Sequence, residues 1–204
     1  MKKLLLTSSW LPFMKLKRCL VTLSEKPLSE CSALIMHTAK KRKQFGYVKA
    51  LRQSLIKYGL NKERIYDANI IKNTNAKKFN NIDLFFSCGG NTFYIIDRVR
   101  KTGFDKWIKD FIRKGGVYVG ASAGSIIVHK TIELAGWGKE RDLNEIRLKK
   151  LGGLNITNIA IFPHYKKRLE KEIKQFKKNA PYPVVELKDK QALLIVGNKK
   201  RLIK

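Results

Sequence analysis

One stretch constrains this chain more than any other, because it joins a strand-like run to a cluster of small residues around a single serine. Residues 117–124 read Val-Tyr-Val-Gly-Ala-Ser-Ala-Gly. The β-branched and aromatic residues at its start favour a buried strand. The G-x-S-x-G spacing that follows is typical of a nucleophile elbow, a sharp strand-to-helix turn that exposes the hydroxyl of Ser122. Gly120 and Gly124 fit such a turn, because side chains at these positions would collide across it. Tight packing of small residues is the alternative interpretation of this stretch alone.

Length and composition favour one globular domain over residues 1–204. Hydrophobic residues make up 44% of the chain and aromatic residues 10%, which is enough for a buried core. No apolar run approaches the ~20 residues that a membrane span needs. The three cysteines, Cys19, Cys31 and Cys88, have neither metal-ligand nor redox spacing. This pattern predicts reduced thiols and a cytoplasmic location.

The formal net charge of +28 is unusual for a chain of this length. Such an excess of positive charge can bind a nucleic acid, a membrane surface or an acidic substrate. In this chain, however, lysine is spread over the whole sequence, whereas nucleic-acid sites favour clustered arginine with interleaved aromatic residues. We therefore expect a solvated basic surface, with nucleic acid a disfavoured partner and a membrane no partner at all.

Apolar runs and helical periodicities alternate along the chain. Strands are predicted at residues 3–7, 33–39, 64–70, 83–87, 117–119, 159–162, 184–187, 192–196 and 201–203. Helices are predicted at residues 45–56, 93–101, 104–112 and 166–178, with another beginning at residue 125; residues 10–30 fit no single pattern. This alternation predicts an α/β fold with a mainly parallel sheet and helices on both faces.

Four features of chemical interest lie at predicted strand ends: the loop at residues 89–92, Ser122, His164 and Asp189. In a parallel sheet, ligands bind outside the carboxyl ends of the strands. We therefore expect all four features at one edge of the sheet. Their convergence favours the elbow interpretation of Ser122.

A serine hydroxyl needs a base within hydrogen-bond distance to act as a nucleophile, and the chain has three histidines. His37 lies inside a predicted strand and is expected in the core. His129 follows Ser122 on the same predicted helix, where a rise of ~10 Å over two turns would separate the two residues. His164 follows a strand and a proline, and it is the predicted base.

Two further groups complete this chemistry. A carboxylate should orient the base, and the sequence leaves Glu186, Asp189 and Asp142 as candidates. A second backbone amide should join that of Ala123 in stabilising an oxyanion, and the two glycines at residues 89–90 suit this role. A phosphate-binding loop is disfavoured, because neither G-x-x-x-x-G-K-[ST] nor G-x-G-x-x-G occurs.

Together these segments resemble the serine peptidase family of dipeptidase E, the α-aspartyl dipeptidases, whose relatives include cyanophycinase. The matching segments are residues 3–8, 88–93, 120–124, 162–165 and 192–196. The resemblance implies a flavodoxin- or glutamine-amidotransferase-like three-layer sandwich. It also implies hydrolysis of a small peptide through an acyl-enzyme, with no metal and no cofactor.

The resemblance assigns roles to single residues. Ser122 matches the family nucleophile and His164 its base. Asp189 falls where the family places its third, acidic member, just before the terminal apolar strand. Gly90 and Ala123 would supply the amides of the oxyanion hole.

The substrate side of the site is defined less sharply. Gly89, Asn91 and Thr92 belong to the loop expected to contact the substrate. Arg168 is the candidate for binding an aspartyl carboxylate, although a solvated position on a basic helix is the alternative. Cys88 stands where the family usually has glycine, a small change that should leave activity intact.

The predicted function is therefore a serine peptidase acting on short peptides, with N-terminal Asp dipeptides as one candidate class of substrate. One alternative is an inactive or repurposed relative that binds an anionic partner through its basic surface. Another is a related enzyme that acts on an acidic polymer such as cyanophycin, or on another amide. The sequence leaves the oligomeric state open, with a homodimer as one alternative.

Overall fold

The computed structural model describes residues 1–39, 42–72 and 74–204. Its strands are β1 (Lys3–Thr7), β2 (Ala33–His37), β3 (Ile65–Asn69), β4 (Leu84–Ser87), β5 (Val117–Ala121), β6 (Ala160–Phe162), β7 (Val184–Glu186), β8 (Ala192–Val196) and β9 (Lys199–Ile203). Its α-helices are α1 (Phe13–Ser24), α2 (Arg42–Tyr58), α3 (Thr92–Lys101), α4 (Phe104–Arg113), α5 (Ala123–Ile126) and α6 (Glu170–Asn179).

Seven strands form one sheet in the order β3-β2-β4-β5-β1-β8-β9. Strands β1 to β5 run parallel to one another, β8 is antiparallel to β1, and β9 is antiparallel to β8. The mainly parallel sheet expected from the sequence is therefore confirmed. Because β8 is antiparallel, its amino end lies at the same edge as the carboxyl ends of the parallel strands.

Helices cover both faces of this sheet, because the central strands are apolar on both sides. Leu5 faces the cluster that α1 and α2 complete, whereas its neighbours Leu4 and Leu6 face the cluster that α3, α4 and α5 complete. All three leucines are fully buried. The α/β architecture with a helical layer on each face is confirmed.

Strands β6 and β7 do not belong to the seven-stranded sheet. They pair with each other, in parallel, as a separate two-stranded sheet. A third apolar cluster, containing Leu169, Ile173 and Phe176, packs α6 against these strands. Hydrophobic periodicity identified both strands correctly but carries no information on the partner of a strand.

Two helical segments also differ from the sequence-based expectation. Residues 10–30, which matched no pattern, contain α1 and a short 3₁₀ turn. The helix after the elbow, α5, ends at Ile126. It ends there because the backbones of Ile127 and Val128 accept hydrogen bonds from residues 154 and 156 at 2.7 and 2.8 Å, which an uninterrupted helix would prevent.

The polar stretch at residues 72–80, between the predicted strands at 64–70 and 83–87, includes residue 73, which lies outside the described residues. Within the described part, a 3₁₀ turn at Ala76–Lys78 is capped by Asn75, whose side chain accepts a hydrogen bond from the amide of Lys77. Gly59 ends α2, because it has φ = 110° and its amide bonds to the carbonyl of Ile56.

Candidate active site

Ser122 stands between β5 and α5 in a backbone conformation that is rare for a residue with a side chain. Its φ is 52° and its ψ is −115°. Such a conformation costs of order 1–3 kcal/mol and persists only where the surrounding structure enforces it. The strained serine turn expected from the G-x-S-x-G spacing is therefore present.

The two flanking glycines are required by close backbone contacts. A methyl group on Gly120 would lie 2.5 Å from the carbonyl oxygen of Gly124, and one on Gly124 would overlap with the carbonyl oxygen of Ser87. Any larger residue at either position would displace the turn. This explains the spacing of the motif from the packing of three backbone segments.

Buried hydrogen bonds stabilise the turn at Ser122. The amide of Ser122 donates to the carbonyl of Thr7 at 3.0 Å. The hydroxyl of Ser125 lies 2.8 Å from the carbonyls of both Thr7 and Gly120, and the hydroxyl of Tyr118 donates to the carbonyl of Gly124 at 2.7 Å. Because these groups are buried, their loss would leave unsatisfied polar atoms in the core.

The imidazole of His164 lies between the hydroxyl of Ser122 and a carboxylate. The distance from its Nε2 to Ser122 Oγ is 3.0 Å, and that from its Nδ1 to Asp189 Oδ1 is 2.7 Å. An ionised carboxylate only accepts hydrogen bonds. Nδ1 therefore carries the proton shared with Asp189, and Nε2 is free to accept from the serine hydroxyl.

The charge state of Asp189 suits this arrangement. Partial burial raises the pKa of this carboxyl. The hydrogen bond and charge of His164, together with the hydroxyl of Ser8, lower the pKa by more than burial raises it. The net result is a pKa below the ordinary value for aspartate. Asp189 is therefore ionised at neutral pH.

The structure separates the three candidate acids. Glu186 pairs with Lys177, whose Nζ lies 2.6 Å from its Oε1. Asp142 accepts hydrogen bonds from the amide and the hydroxyl of Thr92 at 2.8 and 2.5 Å. Of the three, Asp189 alone has a hydrogen bond to the base.

Ser8 is a site residue that sequence reasoning missed, although it belongs to a segment used for the family resemblance. Its buried hydroxyl lies 3.1 Å from Asp189 Oδ1 and 2.7 Å from the backbone nitrogen of His164. A serine at the end of a strand has no distinguishing pattern. Only the pairing of β1 with β8 reveals its place.

The loop at residues 89–92 packs directly against the turn at Ser122. A methyl group on Gly89 would be 3.2 Å from Ser122 Cβ, and Gly90 has φ = 143°, a conformation that favours glycine. Asn91 caps α3 by accepting from the amide of Tyr94 and donates to the carbonyl of Leu143.

The residues of the loop at positions 89–92 therefore fall into two groups. Gly89 lies next to Ser122 and is followed by Gly90, whereas Asn91 and Thr92 hold the segment at residues 142–143 against the start of α3. Their roles toward a substrate stay predictions.

A cavity of about 260 Å³ opens in front of the serine. Its apolar lining residues include Leu134, Trp137, Phe162 and Leu169. Its polar and charged lining residues are Ser122, His164, Asp189, Glu140, Arg141, Asp142 and Lys166. A concave cavity that combines apolar residues with convergent polar groups is typical of a small-ligand site.

Arg168 does not line this cavity; its guanidinium forms an ion pair with Glu140. Lys166 does line the cavity, and its Nζ lies 3.3 Å from Glu140 Oε2. Hydrogen bonds from Arg168 and Lys166 hold the pKa of Glu140 below its ordinary value. The Glu140 carboxylate thus forms ion pairs with two cations near the site, Lys166 and Arg168.

The other two histidines lie away from the serine. His37 is buried at the end of β2 and its Nδ1 accepts from the amide of Ala39, as expected for a strand-end residue. The expectation that His129 continues the elbow helix is wrong, because α5 ends at Ile126. His129 is instead buried in the loop that pairs with Thr157, and its ring contacts Tyr182.

Within residues 1–39, 42–72 and 74–204, no group of three or more His, Cys, Asp or Glu side chains is arranged to hold a metal ion. No helix in the same ranges is both long and apolar enough to cross a membrane. The three cysteines are free thiols and buried.

The family model for peptidase family S51 matches residues 5–203. An uncharacterized peptidase of Listeria monocytogenes serovar 1/2a is 30% identical over 129 residues, which cover 63% of this chain and 62% of the relative. Peptidase E of Escherichia coli O1:K1 is 28% identical over 85 residues, which cover 42% of this chain and 35% of the relative. The chain thus spans less than two thirds of the length of these curated relatives.

Solved structures share the fold over the whole chain. A crystal structure of a Listeria monocytogenes EGD-e protein, provisionally named peptidase E, has a TM-score of 0.79 and 24% identity, and covers 100% of this chain and 98% of that one. A crystal structure of a peptidase from an acI-B1 actinobacterium has a TM-score of 0.75 and 17% identity, with coverage of 100% and 87%. At these identities the likeness establishes the fold.

Proposed function

This chain belongs to peptidase family S51, and we propose that it is a serine-type peptidase that hydrolyses short peptides through an acyl-enzyme. The observation that carries the proposal is the continuous hydrogen-bonded series from Ser122 Oγ through His164 to Asp189, with distances of 3.0 and 2.7 Å. Nucleophile, base and orienting acid in such a series form the arrangement of serine hydrolases on unrelated folds.

The first half of the reaction forms the acyl-enzyme. As Ser122 Oγ attacks the carbonyl carbon of the scissile bond, its proton moves to His164 Nε2, and the imidazolium that results is stabilised by the ionised Asp189. The carbonyl oxygen becomes an oxyanion, and in this proposal the amides of Gly90 and Ala123 stabilise it. The imidazolium then gives its proton to the leaving amine, and the peptide bond breaks.

The second half uses the same groups on water. The oxygen of a water molecule attacks the ester of Ser122 while His164 Nε2 takes a proton from that water. The imidazolium then returns the proton to the serine oxygen as the ester bond breaks. The acyl product leaves as a carboxylic acid and the hydroxyl is regenerated. The steps balance as peptide plus water giving an amine and a carboxylic acid, with the proton carried by His164.

The dimensions of the cavity favour short substrates. Its volume of about 260 Å³ lies below the ~300–1,000 Å³ of pockets that enclose drug-sized ligands. Dipeptides, including those with an N-terminal Asp, are therefore the first substrates to test. A single domain over residues 1–204 and a reducing, cytoplasmic location for its buried free thiols remain part of the proposal.

A fluorescent fluorophosphonate probe tests the nucleophile without knowledge of the substrate. We expect the wild-type protein to be labelled on Ser122, and Ser122→Ala and His164→Ala to lose labelling by orders of magnitude. Ser54→Ala, on α2 away from the cavity, is the matched control and should label like the wild type. Equal labelling of the wild type and Ser122→Ala would contradict the proposal and favour an inactive relative.

A panel of dipeptides then addresses the substrate. Free amino acids released from Asp-X, Asn-X and Ala-X dipeptides are measured for the wild type and for Ser122→Ala. If Ser122→Ala hydrolysed any of these as fast as the wild type, the acyl-enzyme mechanism would be wrong for that substrate.

A further inference from the structure

Ser8 follows β1, which lies in the sheet between the strand that leads to Ser122 and the strand that follows Asp189. Strand β1 pairs with β5 on one side, with Thr7 opposite Ala121, and with β8 on the other, with Thr7 opposite Ala192. The residue after Thr7 is therefore next to the elbow on one side and next to the Asp189 turn on the other. Its amide bonds to the carbonyl of Gln191 at 3.1 Å, which fixes its backbone.

The hydroxyl of Ser8 uses both its donor and its acceptor capacity inside the site. It donates to Asp189 Oδ1 at 3.1 Å and accepts from the backbone N–H of His164 at 2.7 Å. Both distances lie within the ordinary hydrogen-bond range. One side chain thus connects the acid with the backbone of the base.

Ser8 is the buried member of this group. The side chain of His164 is 44% exposed and that of Asp189 is 57% exposed, whereas Ser8 has no exposed surface. Exposed side chains exchange rotamers readily, so the two exposed groups need an anchor to hold the geometry of the imidazole. Asp189 Oδ1 accepts from His164 Nδ1 and from Ser8 together, which fixes the direction of its carboxylate.

The backbone of His164 also needs such an anchor. Its φ of 55° is in the left-handed region, which is uncommon for a residue other than glycine. The hydrogen bond from its amide to Ser8, together with that from the amide of Tyr165 to the carbonyl of Leu187, holds the chain in this turn. Removal of the Ser8 hydroxyl would release the backbone of the base and the carboxylate of the acid at once.

We propose that Ser8 is a positioning residue of the Ser122–His164–Asp189 arrangement, and that its hydroxyl sets the orientation of both the base and the acid. This inference rests on the proposed function. Displacement of a reacting group by about 1 Å costs about 100-fold in rate. We therefore expect Ser8→Ala to reduce the rate of the chemical step by about 10-fold to 100-fold while leaving binding nearly unchanged.

The test measures labelling by the fluorophosphonate probe at several probe concentrations, which separates the maximal labelling rate from the apparent affinity. For Ser8→Ala we expect a maximal rate lower by about 10-fold to 100-fold and an affinity within about twofold of the wild type. The neighbouring Ser9 is the matched control, because its hydroxyl accepts from the amide of Lys190 in the same turn at 3.1 Å. Ser9→Ala should label like the wild type.

A second comparison shows whether Ser8 acts through Asp189. In an Asp189→Ala background, Ser8→Ala should reduce the labelling rate by a smaller factor than in the wild type, because residues that act as a unit are not additive. Equal factors in the two backgrounds would overturn the inference. So would a Ser8→Ala protein that labels at the wild-type rate.

Folding and the underlying function are checked separately. Heat-induced unfolding followed by circular dichroism establishes that each variant is folded, and Ser8→Thr retains the hydroxyl in case the alanine variant is not. A folded Ser8→Thr protein should label within about threefold of the wild type, and one that loses 10-fold or more would contradict the role of the hydroxyl. If Ser122→Ala labels like the wild type, the proposed function fails; if it does not label while Ser8→Ala is unaffected, only this inference fails.

Discussion

The carboxylate of Glu140 lies 3.3 Å from the ammonium of Lys166, the cation beside His164 in the wall of the cavity. The same carboxylate also holds Arg168. A substrate carboxylate that sought either cation would therefore compete with Glu140. Arg141 also lines the cavity; its guanidinium donates to the carbonyl of Gly138, and none of the ion pairs among the described residues includes it.

This relationship predicts the effect of removing the Glu140 charge. Glu140→Gln should raise the ratio of kcat/KM for an Asp-X dipeptide to that for the matching Asn-X dipeptide by about twofold to fivefold, as expected for a partly exposed ion pair. The effect should shrink at high salt, because the Debye length falls to ~3 Å at 1 M. The measurement is a pair of Michaelis–Menten series at low and high salt.

Glu145→Gln is the control for this change, because Glu145 is an exposed carboxylate in the same segment that does not line the cavity. Its ratio should equal that of the wild type. A ratio that does not change in Glu140→Gln would show that neither Lys166 nor Arg168 receives a substrate carboxylate.

A second prediction concerns the choice of acid. Asp189→Asn should lower kcat/KM by at least about 100-fold, because the amide holds the imidazole in the wrong tautomer; a triad aspartate changed in this way elsewhere cost ~10⁴-fold in kcat. Glu186→Gln, which removes a carboxylate already paired with Lys177, should stay within about threefold of the wild type. A reversal of these two effects would assign the acid to Glu186.

The sequence predicts the sheet well because its central strands are buried on both faces and therefore read as unbroken apolar runs. It also predicts the elbow, because the local backbone geometry demands glycine at fixed positions. Ser122 and His164 are each marked by a local signal: a small-residue motif and a proline at a strand end. Asp189 is favoured over the other two acids only by the family resemblance, which places an acidic residue just before the terminal apolar strand.

What the sequence does not predict depends on contacts between distant segments. The three candidate acids differ only in what lies opposite them, namely Lys177 for Glu186, Thr92 for Asp142 and His164 for Asp189. The early end of α5 and the place of His129 follow from pairing with residues 152–157, which no local pattern announces. The position of Ser8 has the same origin.

A third prediction contrasts two glycines. Gly124→Ala should abolish labelling by the probe and lower the free energy of unfolding by about 1–3 kcal/mol or more, because the new methyl group would overlap with the backbone of Ser87. Gly46→Ala, in α2, meets no atom within 4 Å, and should raise the free energy of unfolding by about 0.5–1 kcal/mol through helix propensity. Urea unfolding and probe labelling of the two variants measure both effects, and a fully active Gly124→Ala protein would contradict the packing of the elbow.

The last prediction concerns acid unfolding and rests on Asp83, which joins the starts of β2 and β4. Its carboxylate accepts from the amide of Ser32 at 2.7 Å and lies 2.8 Å from Lys26 Nζ. Burial raises the pKa of Asp83, but the hydrogen bonds from Lys26 and Ser32 lower it more, so the net pKa lies below the ordinary value. A carboxyl whose folded pKa is lowered stabilises the protein above its unfolded pKa and loses this contribution as the pH falls through the folded pKa.

We therefore expect the free energy of unfolding to fall as the pH drops below about 3.9, the ordinary value for aspartate, and to fall less steeply in Asp83→Asn. Urea unfolding at a series of pH values between about 6 and 2.5 spans this window. Glu145→Gln is the control, because Glu145 is exposed and belongs to none of the ion pairs among the described residues. Since the asparagine at residue 83 cannot be protonated in this range, its curve should approach that of the wild type at the acid end; parallel curves throughout would show that Asp83 keeps an ordinary pKa.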